Sequence, residues 1–175
     1  MSTLKQHNNP SAQDATFIYL RRLSTFIPLL GAVRGHHSRY VGGTLARVKQ
    51  GETGRLRTSD SGLIFESGKV TSVTIPYNEI TAMDYGEHAG RRVGLAIAVA
   101  WPLLFSHKKR HYLTIYFTKN PQIAAQERAE LAKDPKATAK GDVAAFEVNK
   151  HDYAELMSIL QAKTGVAVQE EGVKR

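Results

Sequence analysis

Residues 143–165, VAAFEVNKHDYAELMSILQAKTG, change their apolar period half-way along, and that change carries the strongest statement of fold in the chain. From Val143 to Val148 every second residue (Ala144, Phe146, Val148) falls on one side, the period of a strand with one buried face. From Tyr153 onward the apolar residues Tyr153, Leu156, Met157 and Leu160, with Thr164, follow helical spacing and form a single stripe. Asp152, with Glu155 three residues later, has the spacing of a capping box, and Gly165 suits the left-handed residue that ends a helix. A strand running into an amphipathic helix that lies against a sheet is therefore expected here.

Upstream, short alternating runs recur between turn signals, as in an antiparallel barrel or sandwich. Strands are predicted over 43–49, 54–58, 63–66, 70–76, 80–86, 111–118 and 143–148, with turns at Gln50-Gly51-Glu52, Ser59-Asp60-Ser61-Gly62 and Ser67-Gly68-Lys69. Val73, Ile75 and Tyr77 share one face, and Ala82, Asp84 and Gly86 oppose Met83 and Tyr85. Leu113, Ile115 and Phe117 are expected inward, against Tyr112, Thr114 and Tyr116. Residues 119–141 form an alanine-rich, charged insert with a short helix expected over Pro121–Lys133. The fold class is mainly β with one capping helix (α+β): an antiparallel barrel of about seven strands closed by a C-terminal helix.

With 175 residues, 42% of them hydrophobic and 23% charged, the chain is long enough for one well-buried domain, and its composition excludes a wholly disordered or collagen-like chain. No stretch reaches 18 apolar residues, so an ordinary transmembrane helix is not expected. The absence of cysteine removes disulfides, thiol nucleophiles and thiolate metal sites. Residues 1–16 are polar and aperiodic and are read as disordered. In 17–33, Arg21-Arg22 precedes an apolar run from Leu23 to Val33, in the order of an export signal or membrane anchor; an amphipathic arm packed on the domain is the competing reading. The expected organisation is an arm over 1–37, a domain over 38–168 and a flexible tail over 169–175. Localisation stays open between a membrane-associated cytoplasmic protein and an exported one.

The charge is uneven. Overall, 24 Lys and Arg face 16 Asp and Glu, a net charge of +8. The first 41 residues hold Lys5, Arg21, Arg22, Arg34 and Arg39 against Asp14 alone, and the window from His88 to Gln126 holds Arg91, Arg92, Lys108, Lys109, Arg110 and Lys119 with no acid. Between these basic residues lies an uncharged stretch, Val93 to Phe105 (VGLAIAVAWPLLF). As a helix it would rise about 20 Å, short of a bilayer's hydrocarbon core. Pro102 would break or kink any regular element passing through it. Three readings compete for this apolar excursion: a buried strand or helix covering the barrel, a protein interface, and an interfacial loop. In the last, Trp101, Leu103, Leu104 and Phe105 dip into a bilayer while Arg91, Arg92, Lys108, Lys109 and Arg110 meet anionic head groups. Charge runs of this kind also serve simply as solubilising surface.

Four pieces, GTLARVKQGETGRLRTSDSGLIFES (43–67), IPYNEITAMDYGEHAGRRVG (75–94), LFSHKKRHYLTIYF (104–117) and FEVNKHDYAELMSILQAKTG (146–165), carry IPYxEI, YGxxxGRRxG, KKRHYLTI and FEVxK in order. Over about residues 42–168 the chain resembles a bacterial family of small pleckstrin-homology-like (PH-like), GRAM-like proteins. The resemblance implies a PH-like barrel with a capping helix and a binding role, and little more.

No GxSxG, Walker loop or HExxH is present, so no catalytic residues, cofactor or enzyme class are assigned. Asp84 and Glu87 lie beside Tyr85 and His88 without an identifiable nucleophile. His107 and His111 are four apart but separated by lysines and followed by a strand, and His36-His37 sit in a Gly/Arg-rich linker, so no metal site is expected. Nucleic acid is disfavoured as a partner because recognition-helix and base-stacking patterns are missing. The leading expectation is a non-catalytic module on an anionic lipid surface; the alternative is a protein-interaction or homo-oligomerisation module that buries 93–105.

Overall fold

A computed structural model describes residues 35–68, 72–87, 110–134, 137–149, 151 and 153–171, all within one compact unit, Gly31–Arg175. Along the chain it contains β1 (His36–Gly43), β2 (Thr53–Thr58), β3 (Gly62–Ser67), β4 (Ser72–Pro76), a 3-10 turn (Tyr77–Glu79), β5 (Ile80–Gly86), β6 (His111–Phe117), α1 (Pro121–Lys133), β7 (Asp142–Val148), α2 (Tyr153–Thr164) and β8 (Val168–Glu171). The strands form one eight-stranded sheet in the order β4-β3-β2-β1-β7-β6-β5-β8. Every pair is antiparallel except β5 with β8. Two meanders, β1–β4 and β5–β7, join where β1 lies beside β7, and α2 packs on the core, in keeping with the PH-like layout expected from the sequence. The ladder does not close: β4 and β8 are its two edges.

The alternating residues converge as their period requires. Tyr40, Leu56, Phe65, Met83, Leu113, Ile115 and Phe146 build the main core, and Leu156, Met157 and Leu160 bring the α2 stripe onto it. The rings of Tyr40, Phe65 and Phe146 lie at its centre, with centroids 5.3–6.4 Å apart.

The sheet is also covered on its other side. Pro121 begins α1 directly after Asn120, whose Oδ1 accepts hydrogen bonds from the Gln122 (2.9 Å) and Ile123 (3.4 Å) amides, so the expected helix forms with a conventional cap. Leu131 joins Ala82, Tyr116, Ala139 and Val143 in a second, smaller core. Glu127, also buried, accepts a hydrogen bond from the Lys140 amide and ties the chain entering β7 to the helix. Tyr112, Thr114 and Tyr116, expected outward, are therefore buried, because the outer face of β6 is not a solvent face.

Two elements differ from expectation. The first strand runs over 36–43 rather than 43–49: Gly43 has φ 134° and Arg47 has φ 71°, so the chain leaves the extended region where the apolar alternation of Leu45 and Val48 suggests it continues. The histidines assigned to a linker thus open β1, with His37 exposed and its Nδ1 3.2 Å from the Gly54 carbonyl oxygen. After α2, Gly165 (φ 69°) reverses the chain, and residues 168–171, assigned to the tail, pair with Met83–Gly86. This pairing fills an edge of β5 that would otherwise leave buried backbone groups unmatched. The 17–33 signal or anchor, the rest of the 1–34 arm, Lys69, Val70, the 93–105 excursion and the Asp152 cap lie outside the described residues.

A Cβ added at Gly43 would collide with the Val143 carbonyl, and the φ there disfavours any L side chain. Gly43→Ala is expected to lose roughly 1–3 kcal/mol from backbone strain alone, read as a lower urea midpoint at unchanged slope. Asn120→Ala, which removes only the α1 cap, should cost about 1 kcal/mol in the same assay.

Candidate functional site

The stretch that the sequence singles out lies between the end of β5 and the start of β6. Gly86 is the register partner of Tyr112, so the two ends of the 87–110 connection are fixed on neighbouring strands about 5 Å apart. Of the five basic candidates, Arg110 is the one among the described residues; Arg91, Arg92, Lys108 and Lys109, like Trp101, Leu103, Leu104 and Phe105, lie outside them.

Arg110 is not a free cation. Its Nη1 donates to Glu147 Oε2 on β7 at 2.7 Å, with both side chains about 30% exposed. Glu147 stands opposite Tyr112 on β6 and opposite Arg39 on β1. Burial raises the Tyr112 hydroxyl above its usual pKa and Glu147 adds to the rise, while Arg110 and Arg39 oppose it. The pair anchors the returning chain to the middle of the sheet.

An aromatic stack supports the same junction. Tyr85 near the end of β5, His111 at the start of β6 and Tyr153 at the start of α2 are nearly parallel, with Tyr85 4.3 Å from Tyr153 and 5.7 Å from His111. Burial pushes the Tyr85 hydroxyl well above its ordinary range, and the Tyr153 and Glu170 charges add to this. Tyr85 therefore stays protonated at neutral pH. Its hydroxyl and His111 Nδ1 are buried with no hydrogen-bond partner among the described residues.

Asp84, noted in the sequence for its neighbours, belongs to the packing on the other side of the sheet. It is 2% exposed, and its Oδ2 accepts a 3.1 Å hydrogen bond from the Tyr116 hydroxyl. Among the described residues no three His, Asp or Glu side chains are grouped to hold a metal ion.

Charge divides along the chain. The described residues carry 11 Lys and Arg against 14 Asp and Glu, so the chain's positive excess comes from the sequence outside them. Within the described part, Arg39, Arg47, Lys49, Arg55 and Arg57 are concentrated in β1, β2 and their connection, with Arg57 bonded to Glu66 at 3.0 Å. Clefts open on this body. One, of about 730 Å³, is lined by Arg47, Lys49, Gln50 and Gly68. Another, of about 660 Å³, is lined by Ser61, Asn78, Glu79, Arg128 and Lys163 among others. Neither was visible in the sequence. Arg47 and Lys49 beside the Gly51 turn offered a faint signal, whereas Arg128 reaches its cleft only through the placement of α1.

No protein-family model matches the chain, and no curated protein matches it. Among solved structures, the chain is similar to one in the structure of the Spt16D Pob3N heterodimer, with a TM-score of 0.42 and 12% sequence identity over 79% of this chain. The match spans 58% of that chain.

Proposed function

We propose that the protein is a non-catalytic PH-like binding module, of the bacterial GRAM-like kind that its sequence resembles, and that it associates peripherally with anionic membrane surfaces. The contact is made by the 88–109 connection, with Arg91, Arg92, Lys108 and Lys109 at the head groups and Trp101, Leu103, Leu104 and Phe105 in the interface. The observation that carries this reading is the β5–β6 register. Arg91 follows Gly86 by five residues and Lys109 precedes Tyr112 by three, so both basic pairs are tethered to one end of one hairpin. Clustering of this kind matters because each basic residue close to an anionic surface contributes about 1 kcal/mol, and the contributions act together only when the residues reach the surface together. Arg110, already paired with Glu147, positions the connection and is assigned no head group.

Co-sedimentation of the full chain with vesicles tests this. Binding is expected to phosphatidylserine-containing vesicles and not to phosphatidylcholine vesicles, with affinity falling as salt rises from about 0.05 to 0.5 M. Replacing Arg91, Arg92, Lys108 and Lys109 by Gln should lower it at least about tenfold. No binding to either vesicle would overturn the proposal and turn attention to burial of 93–105 against a protein partner or a second copy, read by sedimentation velocity.

A separate variant, Arg110→Gln, is expected to leave vesicle affinity within about twofold and to lower thermal stability by about 1 kcal/mol, as for other half-exposed ion pairs. A loss of vesicle affinity as large as that of the fourfold variant would show Arg110 at the membrane instead.

A further inference from the structure

The 660 Å³ cleft sits where the β2–β3 turn, the 3-10 turn, α1 and the end of α2 meet, beside the first residue of β5. The 88–109 connection leaves from the other end of that strand, about 20 Å away. Hydrogen bonds to the backbone hold the cleft walls, some of them from the lining side chains of Tyr77 and Thr164. Ser59 Oγ closes the β2–β3 turn on the Gly62 carbonyl (2.8 Å), and the Tyr77 hydroxyl donates to the Ser59 carbonyl (3.0 Å). The Tyr77 amide donates to the Ser61 carbonyl (3.0 Å). At the end of α2, Thr164 Oγ1 donates to the Leu160 carbonyl (2.7 Å).

Two cations face this cleft without a strong counter-ion. Arg128 Nε donates to the Ile80 carbonyl at 2.6 Å and Nη2 to the Tyr77 carbonyl at 2.7 Å, which leaves Nη1 unused. Among the described residues no carboxylate lies within ion-pair distance of its guanidinium. Burial lowers its pKa, the mark of a desolvated cation lacking an anion. The Lys163 side chain is 24% exposed, and among the described residues its Nζ has only Asp60 Oδ1, 3.8 Å away on a fully exposed side chain. The same cleft also holds the carboxylates of Asp60 and Glu79 and the polar groups of Ser61 and Asn78.

Two cations and two carboxylates make the lining formally neutral. A dianionic phosphate would gain from the first pair and be repelled by the second, whereas a single carboxylate bearing N–H donors matches both. We infer that the cleft binds an α-carboxylate with its adjoining nitrogen, either a free amino acid or the C-terminus of a peptide. The carboxylate is held by Arg128 Nη1 and Lys163, and the nitrogen faces Asp60 and Glu79. The guanidinium then completes a donor set that the two backbone carbonyls leave half-used, and α1 has a role beyond covering the sheet.

The test is a proton–nitrogen NMR titration of the full chain with glycine, with the peptide Gly-Gly-Ala as free acid, with its C-terminal amide, and with inorganic phosphate. Saturable shifts are expected at the amides of Ser61, Asn78, Glu79 and Lys163 with glycine or with the free-acid peptide, and the tighter of the two identifies the source of the carboxylate. Affinity should drop about tenfold for the peptide amide, and by a similar factor for the free acid on Lys163→Gln. The proposal is overturned by no saturable shift from either carboxylate, by equal binding of acid and amide, or by phosphate binding more tightly than both. The acid–amide comparison needs only the unaltered chain, so it stands even where a variant folds poorly.

Discussion

The pairing of β1 with β7 joins the two halves of the sheet, and the rest of the structure depends on it. β1 leads into β2, β3 and β4 on one side, while β7 leads back through β6 and β5 to β8 on the other. The join is made by residues about a hundred positions apart in sequence. The Thr44 amide donates to the Val143 carbonyl at 2.7 Å, and the Val143 amide donates to Thr44 Oγ1 at 3.1 Å. Beneath it, Tyr40 from β1, Phe146 from β7 and Phe65 from β3 pack together. Truncation of one buried Phe to Ala costs about 3–5 kcal/mol, a large part of the 5–15 kcal/mol by which a domain is ordinarily stable. Without the join neither half-sheet presents α2 with a complete floor, because Leu156, Met157 and Leu160 pack in the cluster that spans both.

Covering the outer face of β5, β6 and β7 changes what those strands require. Every residue of β5 is buried, and so is every residue of β6 after His111. A strand buried on both faces must satisfy its polar side chains internally. The Tyr116 hydroxyl does this for Asp84, and the Lys140 amide does it for Glu127 on α1. The insert is thus part of the domain's packing and not a loop hung on its surface. Its arginine at 128 gives one hydrogen bond to the start of β5 and one to the 3-10 turn before it, so the same helix that seals the second core also fixes the corner where a cleft opens.

Most of the architecture was legible where one face of an element was apolar and the other was not. The helix stripe from Tyr153 to Thr164, the limits of β5 at Ile80 and Gly86, and the insert helix over Pro121–Lys133 follow the expected pattern. The first strand was not legible because its inward residues, Ser38 and Tyr40, are poor apolar markers, while Leu45 and Val48 just beyond it mimic alternation. The eighth strand was missed because four residues pairing in parallel along an edge carry almost no periodic signal. The candidate site was legible as a charge pattern alone. The sequence places Arg110 with Lys108 and Lys109, but only the register across β6 and β7 brings it to Glu147. The second cleft had no linear signature at all, since its lining comes from four separated segments.

The partition of charge bears on the proposed membrane contact. The body formed by the described residues has three more acids than bases, while the connection between β5 and β6 contributes Arg91, Arg92, Lys108 and Lys109 with no acid between His88 and Phe105. An anionic surface therefore attracts one end of the hairpin and repels much of the rest. At physiological ionic strength charge interactions decay over about 8 Å, so the acids nearest the surface set the orientation and those a strand's length away have little effect. Glu87 and the acidic strand β8, which ends opposite Gly86, lie at the root of the connection and within that range of it. Contact through the basic pairs thus works against carboxylates a few residues away. For the proposed membrane contact this opposition weakens head-group attraction alone, so the apolar run carrying Trp101, Leu103, Leu104 and Phe105 would have to supply the attraction that salt does not screen. On this geometry affinity should need both terms, with charge deciding which membrane is approached and apolar insertion deciding how long the protein remains there.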